Sequence, residues 1–349
     1  MPTKRELEAW CGDLTQLFGI QECTLQGGKA TGTRAYLLNN GSGLELTVLT
    51  DKCFAIPQLR FKGVNIGFIT KTGICGPQFF TEEGTRGFLR NFEAGFLTTC
   101  GLSYVGTPSE ENGQKNGLHG VISNTPIENA SSGVTWEGDT AVLTLSGRAR
   151  EGYLFGPNLE LHKTLRLNTA ENRLVLHDTV ENKGFAAAPL MILYHFNYGY
   201  PMLDENVRIY TNYDHVVPRD ERSAPYADGI CSFGRPRTDT EEVVVFRTMS
   251  DRTFTDGRTL VYNPKLGIAV QMHLDAHQLP VLNQWKSECA GDYALGLEPG
   301  TGHVGGLTGT RRDGLLMTIA PGETKHFDIT VDFLDDRQEI EACIAAIAR

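Results

Sequence analysis

Three short segments place side chains capable of proton transfer where chemistry could use them. GLHGVISNTP, residues 117–126, holds His119 between glycines, with Asn124 in a second turn signal. Glycine permits close backbone approach, so this histidine can face a cleft while nearby amides bind hydroxyls; a plain turn histidine is the alternative. LMILYHFNYGYP, residues 190–201, carries His195 inside an apolar run. Strict alternation gives His195 a common face with Leu193 and Asn197, so the Asn197 amide can support the imidazole. Read otherwise, it is a core histidine. Tyr198 and Tyr200 follow, and such aromatic bodies suit a polyhydroxylated ring, whose C–H faces they cover. In QWKSECAGDYALGLEPGTG, residues 284–302, Glu298 closes an apolar run before Pro299 and Gly300. Partial burial there raises a carboxylate pKa toward the range of a general base. Gln284, Trp285 and Lys286 offer an amide, an aromatic face and a cation to the same cleft, although Lys286 and Glu288 also read as a solvated pair.

Arg86 and Arg90, in TRGFLRNFEAG, can donate several hydrogen bonds to ligand oxygens or serve as surface charges. In HLDAH, a spacing of two puts His273, Asp275 and His277 on one face of a strand, which makes this the strongest metal-ligand pattern in the chain. One strand gives poor angular coverage of an ion, and no metal is assigned. The sequence has no dinucleotide-binding glycine fingerprint, no phosphate-binding P-loop and no nucleophile elbow. Nucleotide enzymes and serine hydrolases are therefore disfavoured.

The elements that must position these groups are mostly strands. Short, partly alternating runs such as GLELTVLT, TAVLTLSGRA, RLVLHDTVEN and TKHFDITVDFLD succeed one another between turn signals, without the intervening helices of a βαβ fold. Leu7, Trp10, Leu14 and Leu17 recur at helical spacing, predicting an N-terminal helix over about residues 5–18 with one buried face. Ile340, Cys343, Ile344 and Ile347 predict a C-terminal helix over about residues 337–348. The irregular stretch 211–240 reads as a long surface connection able to form part of a ligand rim. One domain over 1–349 is expected.

Composition narrows the class further. Of 349 residues, 32 are basic and 42 acidic, giving a net charge of −10, which disfavours nucleic acid and anionic membranes as partners. The 39 glycines against 15 prolines imply many turns. Charged residues occupy the N-terminal region where a secretory signal would be apolar, and no long apolar run follows, so a cytoplasmic protein is expected. The eight cysteines are scattered singly and read as small buried hydrophobes in a reducing compartment.

In this order and separation, GLHGVISN, YHFNYG and GDYALGLEPGT resemble the aldose 1-epimerase, or galactose mutarotase-like, superfamily, nearest to its less-characterised bacterial branch. The resemblance spans roughly residues 35–335. It implies an all-β fold, a large antiparallel β-supersandwich with short peripheral helices, whose cleft binds a hexose-like sugar. It further implies His195 as general acid, Glu298 as general base and His119 as a substrate-binding residue. Asn124, Arg86, Arg90, Asn197, Gln284, Trp285 and Lys286 complete the expected binding set. Familiar mutarotases read His-Pro-x-Phe-Asn around the acid and Asn-Arg in the arginine motif; here the chain reads Tyr194-His195-Phe196-Asn197 and Thr85-Arg86-Gly87-Phe88.

The expected activity is interconversion of sugar anomers by acid–base ring opening and closure, with no cofactor and a small sugar as the only assigned partner. A carbohydrate-binding or sensing protein without turnover is the main alternative. A metal-assisted sugar isomerase or lyase using His273, Asp275 and His277 is the third reading.

Overall fold

The alternating runs form two large antiparallel sheets in a computed structural model describing residues 2–111, 113–251 and 253–347. Arg173–Asn182 shows why: buried and more exposed positions alternate along it, as a strand with one face on a core requires. The first sheet runs, in spatial order, through Gly19–Thr24, Arg34–Asn39, Leu44–Leu49, Ala55–Phe61, Leu97–Cys100, Leu193–Tyr198, Asp292–Gly300, Val281–Cys289, Val243–Thr248 and His215–Pro218, with Val64–Asn65 beside Ala55–Phe61. The second runs through Glu128–Glu137, Thr140–Gly152, Asn158–Asn168, Arg173–Asn182, Thr324–Leu334, Ile268–Asp275, Asp256–Asn263 and Arg208–Thr211.

The facing sides of the sheets share one apolar core. Leu46, Leu59, Phe196 and Leu297 contribute from the first sheet, and Leu143, Leu161, Leu176 and Val331 from the second. A separate cluster covers the outer side of the first sheet at its centre, where Phe88, Phe92 and Leu307 pack with Cys100, Leu193 and Val244. Leu193–Tyr198 lies between the two clusters and is buried at all six positions. That explains its unusually apolar sequence: both of its faces are covered.

One polar connection crosses the core. Lys163 Nζ lies 2.6 Å from Asp178 Oδ2, and the Tyr194 hydroxyl donates to the same oxygen at 2.8 Å. Lys163 and Asp178 have no exposed side-chain surface. Desolvating such a pair is expensive, so its value lies less in net stability than in fixing which residues face each other. Because Tyr194 precedes His195 in the same strand, this bond also sets where the imidazole emerges on the opposite face.

The terminal helices differ from expectation in one case. Instead of a helix over 5–18, an α-helix at Lys4–Trp10 is followed by a short 3-10 turn at Leu14–Gln16. The break falls at Gly12 and Asp13, where the Asp13 carboxylate caps Thr15 N at 2.9 Å and offers the backbone a competing turn. Only Leu7 and Leu14 pack on the core; Trp10 is 87% exposed, so the expected apolar face is incomplete. The C-terminal helix, Arg337–Ile347, does bury Ile340 and Ile347 against Leu260, Ala269 and Leu334, with Cys343 and Ile344 alongside. Residue 348 of the expected range lies outside the described residues. No helix among the described residues is long and apolar enough to cross a membrane. All eight cysteines are unpaired, four buried and four partly buried.

Candidate active site

The cleft face is defined by strand register. Asn197 pairs with Gly296, Gly296 with Trp285, and Glu298 with Asn283, while His195 pairs with Thr98 on the other side. Directly opposed residues project from the same side of a sheet, so His195, Asn197, Trp285 and Glu298 share one face, outside the inter-sheet core. Gly296 leaves room among them. A Cβ there would lie 2.4 Å from Glu298 Oε1 and 3.2 Å from Trp285 Cβ.

His195 Nε2 and Glu298 Oε1 are 3.1 Å apart, but the approach is misaligned and makes no hydrogen bond. His119 reaches this pair from a turn where its φ is 61°, the left-handed region flanked by permissive glycines. Its ring centroid lies 5.9 Å from that of His195, nearly perpendicular to it. Phe92 meets His195 edge-on at 5.0 Å, Phe88 meets His119 at 5.1 Å, and the two phenyl rings stack at 4.7 Å. Trp285 closes the other side, 5.9 Å from His195. His119, His195 and Glu298 retain only 8%, 5% and 3% exposure.

Burial at this site leaves polar capacity unused. His119 Nδ1, His195 Nδ1, Asn197 Oδ1 and Glu298 Oε1 are all buried without a hydrogen-bond partner. Each such atom typically destabilises a fold by about 1–3 kcal/mol, and their convergence on one face marks a place a polar ligand would complete. Burial also favours neutral forms. It pushes Glu298 well above the usual carboxylate range, helped by the nearby charge of Glu242 and opposed by Arg219. It pushes His195 down to about 4, with the Asn197 amide partly offsetting it, and His119 down to about 3, with His195 and Arg219 adding to the effect. Burial thus favours the carboxylic acid form of Glu298 and the neutral imidazole of His195.

Several expected binding residues are not brought to this face. Gln284 pairs with Leu297 and Lys286 with Leu295, on the opposite side of the sheet from Trp285. There, Gln284 accepts from Arg247 Nε at 2.7 Å and donates to Ile230 O at 3.1 Å, while Lys286 donates to Ser232 O beside Phe233. The reason is the two-residue period of a strand, which prevents three consecutive side chains from sharing a face. Arg86 and Arg90 flank Phe88 on the short helix Thr85–Leu89 and its cap, two positions either side, and so point away from it. Both are exposed, with Arg90 3.2 Å from Glu83. Asn124 accepts from Asn91 Nδ2 at 3.0 Å; Asn91 O in turn accepts from Lys52, which is paired with Glu93. Asn197 is on the cleft face, its amide donating to His195 O at 2.9 Å.

The three metal-pattern residues separate. The strand ends at Asp275, whose carboxylate accepts from His277 N at 2.8 Å in the following turn, so His277 leaves the strand. His273 stays on it, 3.9 Å from Asp256 and 3.8 Å from Asp332. Among the described residues, no group of three or more His, Cys, Asp or Glu is placed to hold a metal ion.

Other residues at the site carried no sequence signal of their own. Phe88 and Phe92 belong to TRGFLRNFEAG, where the arginines are the residues with evident ligand chemistry. Arg219 comes from the irregular stretch 211–240, and its charge acts on both Glu298 and His119. The expectation that this stretch forms a ligand rim was the only pointer to it. His303, 4% exposed, stacks on Phe246 at 4.5 Å and bonds Asp313 at 2.9 Å; Phe246 pairs with Asn283, on the cleft side.

Two large antiparallel sheets packed face to face, with short peripheral helices, form a galactose mutarotase-like β-supersandwich, and a histidine–glutamate pair lies on the outer face of the larger sheet. The chain belongs to the domain-of-unknown-function family DUF4432, matched over residues 30–333. A candidate aldose 1-epimerase from Klebsiella pneumoniae has a similar structure, with a TM-score of 0.90 and 24% identity over 96% of this chain and 90% of that one. A galactose mutarotase-like protein from Clostridium acetobutylicum gives a TM-score of 0.63 at 14% identity, over 92% of this chain and 100% of the other. Galactose 1-epimerase from Lactobacillus acidophilus gives 0.57 at 14%, over 91% and 99%. No curated protein matches the sequence.

Proposed function

We propose that this protein binds an aldose or a modified sugar and interconverts its anomers, as an aldose 1-epimerase. The observation that carries this reading is the buried His195–Glu298 pair, 3.1 Å apart but unbonded, among unpartnered polar atoms and aromatic rings. Phe92 and Trp285 offer apolar faces to sugar C–H groups, and His119 Nδ1 and Asn197 Oδ1 offer partners to hydroxyls. The structural likeness to a galactose 1-epimerase supports the same assignment.

In the working cycle, Glu298 takes the proton of the anomeric hydroxyl while His195 gives one to the ring oxygen. The ring C–O bond breaks, C1 becomes a carbonyl, and rotation followed by reversed transfers closes the other anomer. The acid–imidazole pair that burial favours and the working carboxylate–imidazolium pair hold the same number of protons and differ only in where one of them sits. Because the two groups are misaligned for each other, both can point at substrate oxygens, through which that proton passes. No cofactor enters the sequence. The continuous core from Phe18 to Phe333 supports one domain over 1–349, and the unpaired cysteines support a cytoplasmic setting.

Exchange NMR across a panel of aldoses, with and without chelator, tests this reading. Catalysed, chelator-insensitive anomer exchange is expected for at least one sugar. Binding without exchange would leave a carbohydrate-binding protein, and exchange abolished by chelator would favour metal-assisted chemistry.

A further inference from the structure

One cross-strand row leads from the acid–base pair to an ion pair at the rim. Asn197, Gly296, Trp285 and Val244 are successive partners across four strands, and Arg219 N continues the row by donating to Val244 O at 3.0 Å. From this anchor, Arg219 Nη2 donates to Glu242 Oε1 at 3.1 Å, and Glu242 Oε2 accepts from Trp285 Nε1 at 3.0 Å. Glu242 thus spends one oxygen on the cation and the other on the aromatic wall beside His195. Arg219 Nε donates to Asp220 Oδ2 at 3.0 Å, and Asp220 Oδ1 accepts from the backbone and hydroxyl of Ser223, each at 2.9 Å. Ser223 Oγ in turn accepts from Val244 N at 3.2 Å. Only 20% of the Arg219 side chain is exposed. Such a network fixes a guanidinium, whereas a surface ion pair leaves it free to move.

We propose that Arg219 is a positioning residue for the Glu298–His195 pair, with Glu242 as its counterweight: together they fix the charge at the cleft rim that decides whether Glu298 works as a carboxylate. This rests on the acid–base reading above. Burial favours the protonated form of Glu298, whereas a general base must lose that proton. The fixed cation opposes burial; the neighbouring carboxylate reinforces it. The other titratable or charged groups around Glu298 among the described residues are His195, His119 and Cys100, with Asp220 on Arg219, the mutually paired Lys52 and Glu93 beyond Cys100, and His303, bonded to Asp313, on Phe246 of the same face. Arg219 and Glu242 are the two whose removal changes the charge at the rim without touching the reacting pair.

The partners of one ion pair should then act in opposite directions, which a purely structural contact would not do. Titration of the Glu298 carboxyl by ¹³C NMR, without sugar, is compared between wild type, Arg219→Gln and Glu242→Gln. Arg219→Gln is expected to raise the midpoint and Glu242→Gln to lower it, each by roughly one pH unit, the effect of a unit charge several ångströms away in a partly screened site. The acid limb of the anomer-exchange rate should move the same way, and Arg219→Lys should stay near wild type. Shifts in the same direction, no shift, or a carboxyl midpoint that moves while the rate limb stays still would overturn the proposal. A wild-type protein inactive on every sugar would instead defeat the epimerase reading, and the carboxyl titration would still decide the electrostatics.

Discussion

His195 Nε2 and Glu298 Oε1 stand 3.1 Å apart on neighbouring antiparallel strands without a hydrogen bond between them. Two groups that close, both nearly water-free, are placed to serve one substrate as acid and base. Replacing Glu298 by Gln or His195 by Asn keeps the shape and removes one proton site. Each change is expected to slow anomer exchange by about 10²–10⁴-fold, the range for loss of a general acid or base. Circular dichroism and the unfolding midpoint should remain near wild type. Full activity in both variants would remove the pair from the mechanism.

Gly296 is expected to be as sensitive as the reacting residues, although it has no side chain. In Gly296→Ala the new methyl would fall 2.4 Å from Glu298 Oε1, and the carboxylate must swing aside. Displacing a reacting group by about 1 Å commonly lowers the rate by ~10²-fold, while overpacking destabilises by about 1–3 kcal/mol. A large fall in kcat beside a modest fall in Tm is the expected signature. Parallel measurements on Gly291→Ala, in an open turn where a Cβ meets nothing within 4 Å, provide the comparison: strain without a blocked site.

Neighbouring residues on one strand should separate function from stability. Trp285→Ala removes a wall of the cleft and should raise KM for the sugar, with Lys286→Ala leaving both KM and kcat near wild type. Gln284→Ala strips Arg247 of its buried acceptor, and is expected to lower unfolding free energy by about 1–3 kcal/mol with catalysis intact. If Lys286→Ala raised KM as much as Trp285→Ala, the assignment of the cleft face would be wrong.

The buried histidines make stability depend on pH with a definite sign. His119 and His195 are depressed from 6.5 to about 3 and about 4 in the folded protein. Between those values and 6.5, the unfolded chain binds protons that the folded one does not, so stability falls as pH falls through this window. Glu298, raised by burial, works the other way: the stability linked to its neutral form is lost as pH rises through its elevated midpoint. His119→Gln should therefore lose less stability than wild type between pH 6.5 and 4, each pH unit of removed shift being worth about 1.4 kcal/mol at most. Urea unfolding at stepped pH reads this directly; equally steep curves would place the acid sensitivity elsewhere.

What the sequence made legible follows its local rules. Alternation within LMILYHFNYGYP placed His195 and Asn197 on one face, as the structure has them, and helical spacing placed Ile340 and Ile347 on another. The same alternation, applied to Gln284, Trp285 and Lys286, excludes a common cleft; residue type outweighed period in that expectation. For Arg86 and Arg90 the missing information was helical, since a separation of two from Phe88 turns them outward. The helix over 5–18 failed because Asp13 offers its backbone a tighter turn than the apolar pattern reveals. Arg219 was beyond local reading altogether: its place depends on Glu242, 23 residues away, and on Trp285, which reaches it across two strand pairings.

The Lys163–Asp178–Tyr194 bond has a consequence for how this molecule can fail. Sliding Leu193–Tyr198 by one residue would turn Tyr194, Phe196 and Tyr198 into the cleft and drive His195 and Asn197 into the core. The slipped sheet would keep nearly all its backbone hydrogen bonds and lose its chemistry entirely. A buried tyrosine hydroxyl bonded to Asp178, on the other sheet, makes that slip costly. The buried charge is thus an indexing pin, and the accuracy of the acid–base pair is inherited from a contact on the far side of its own strand.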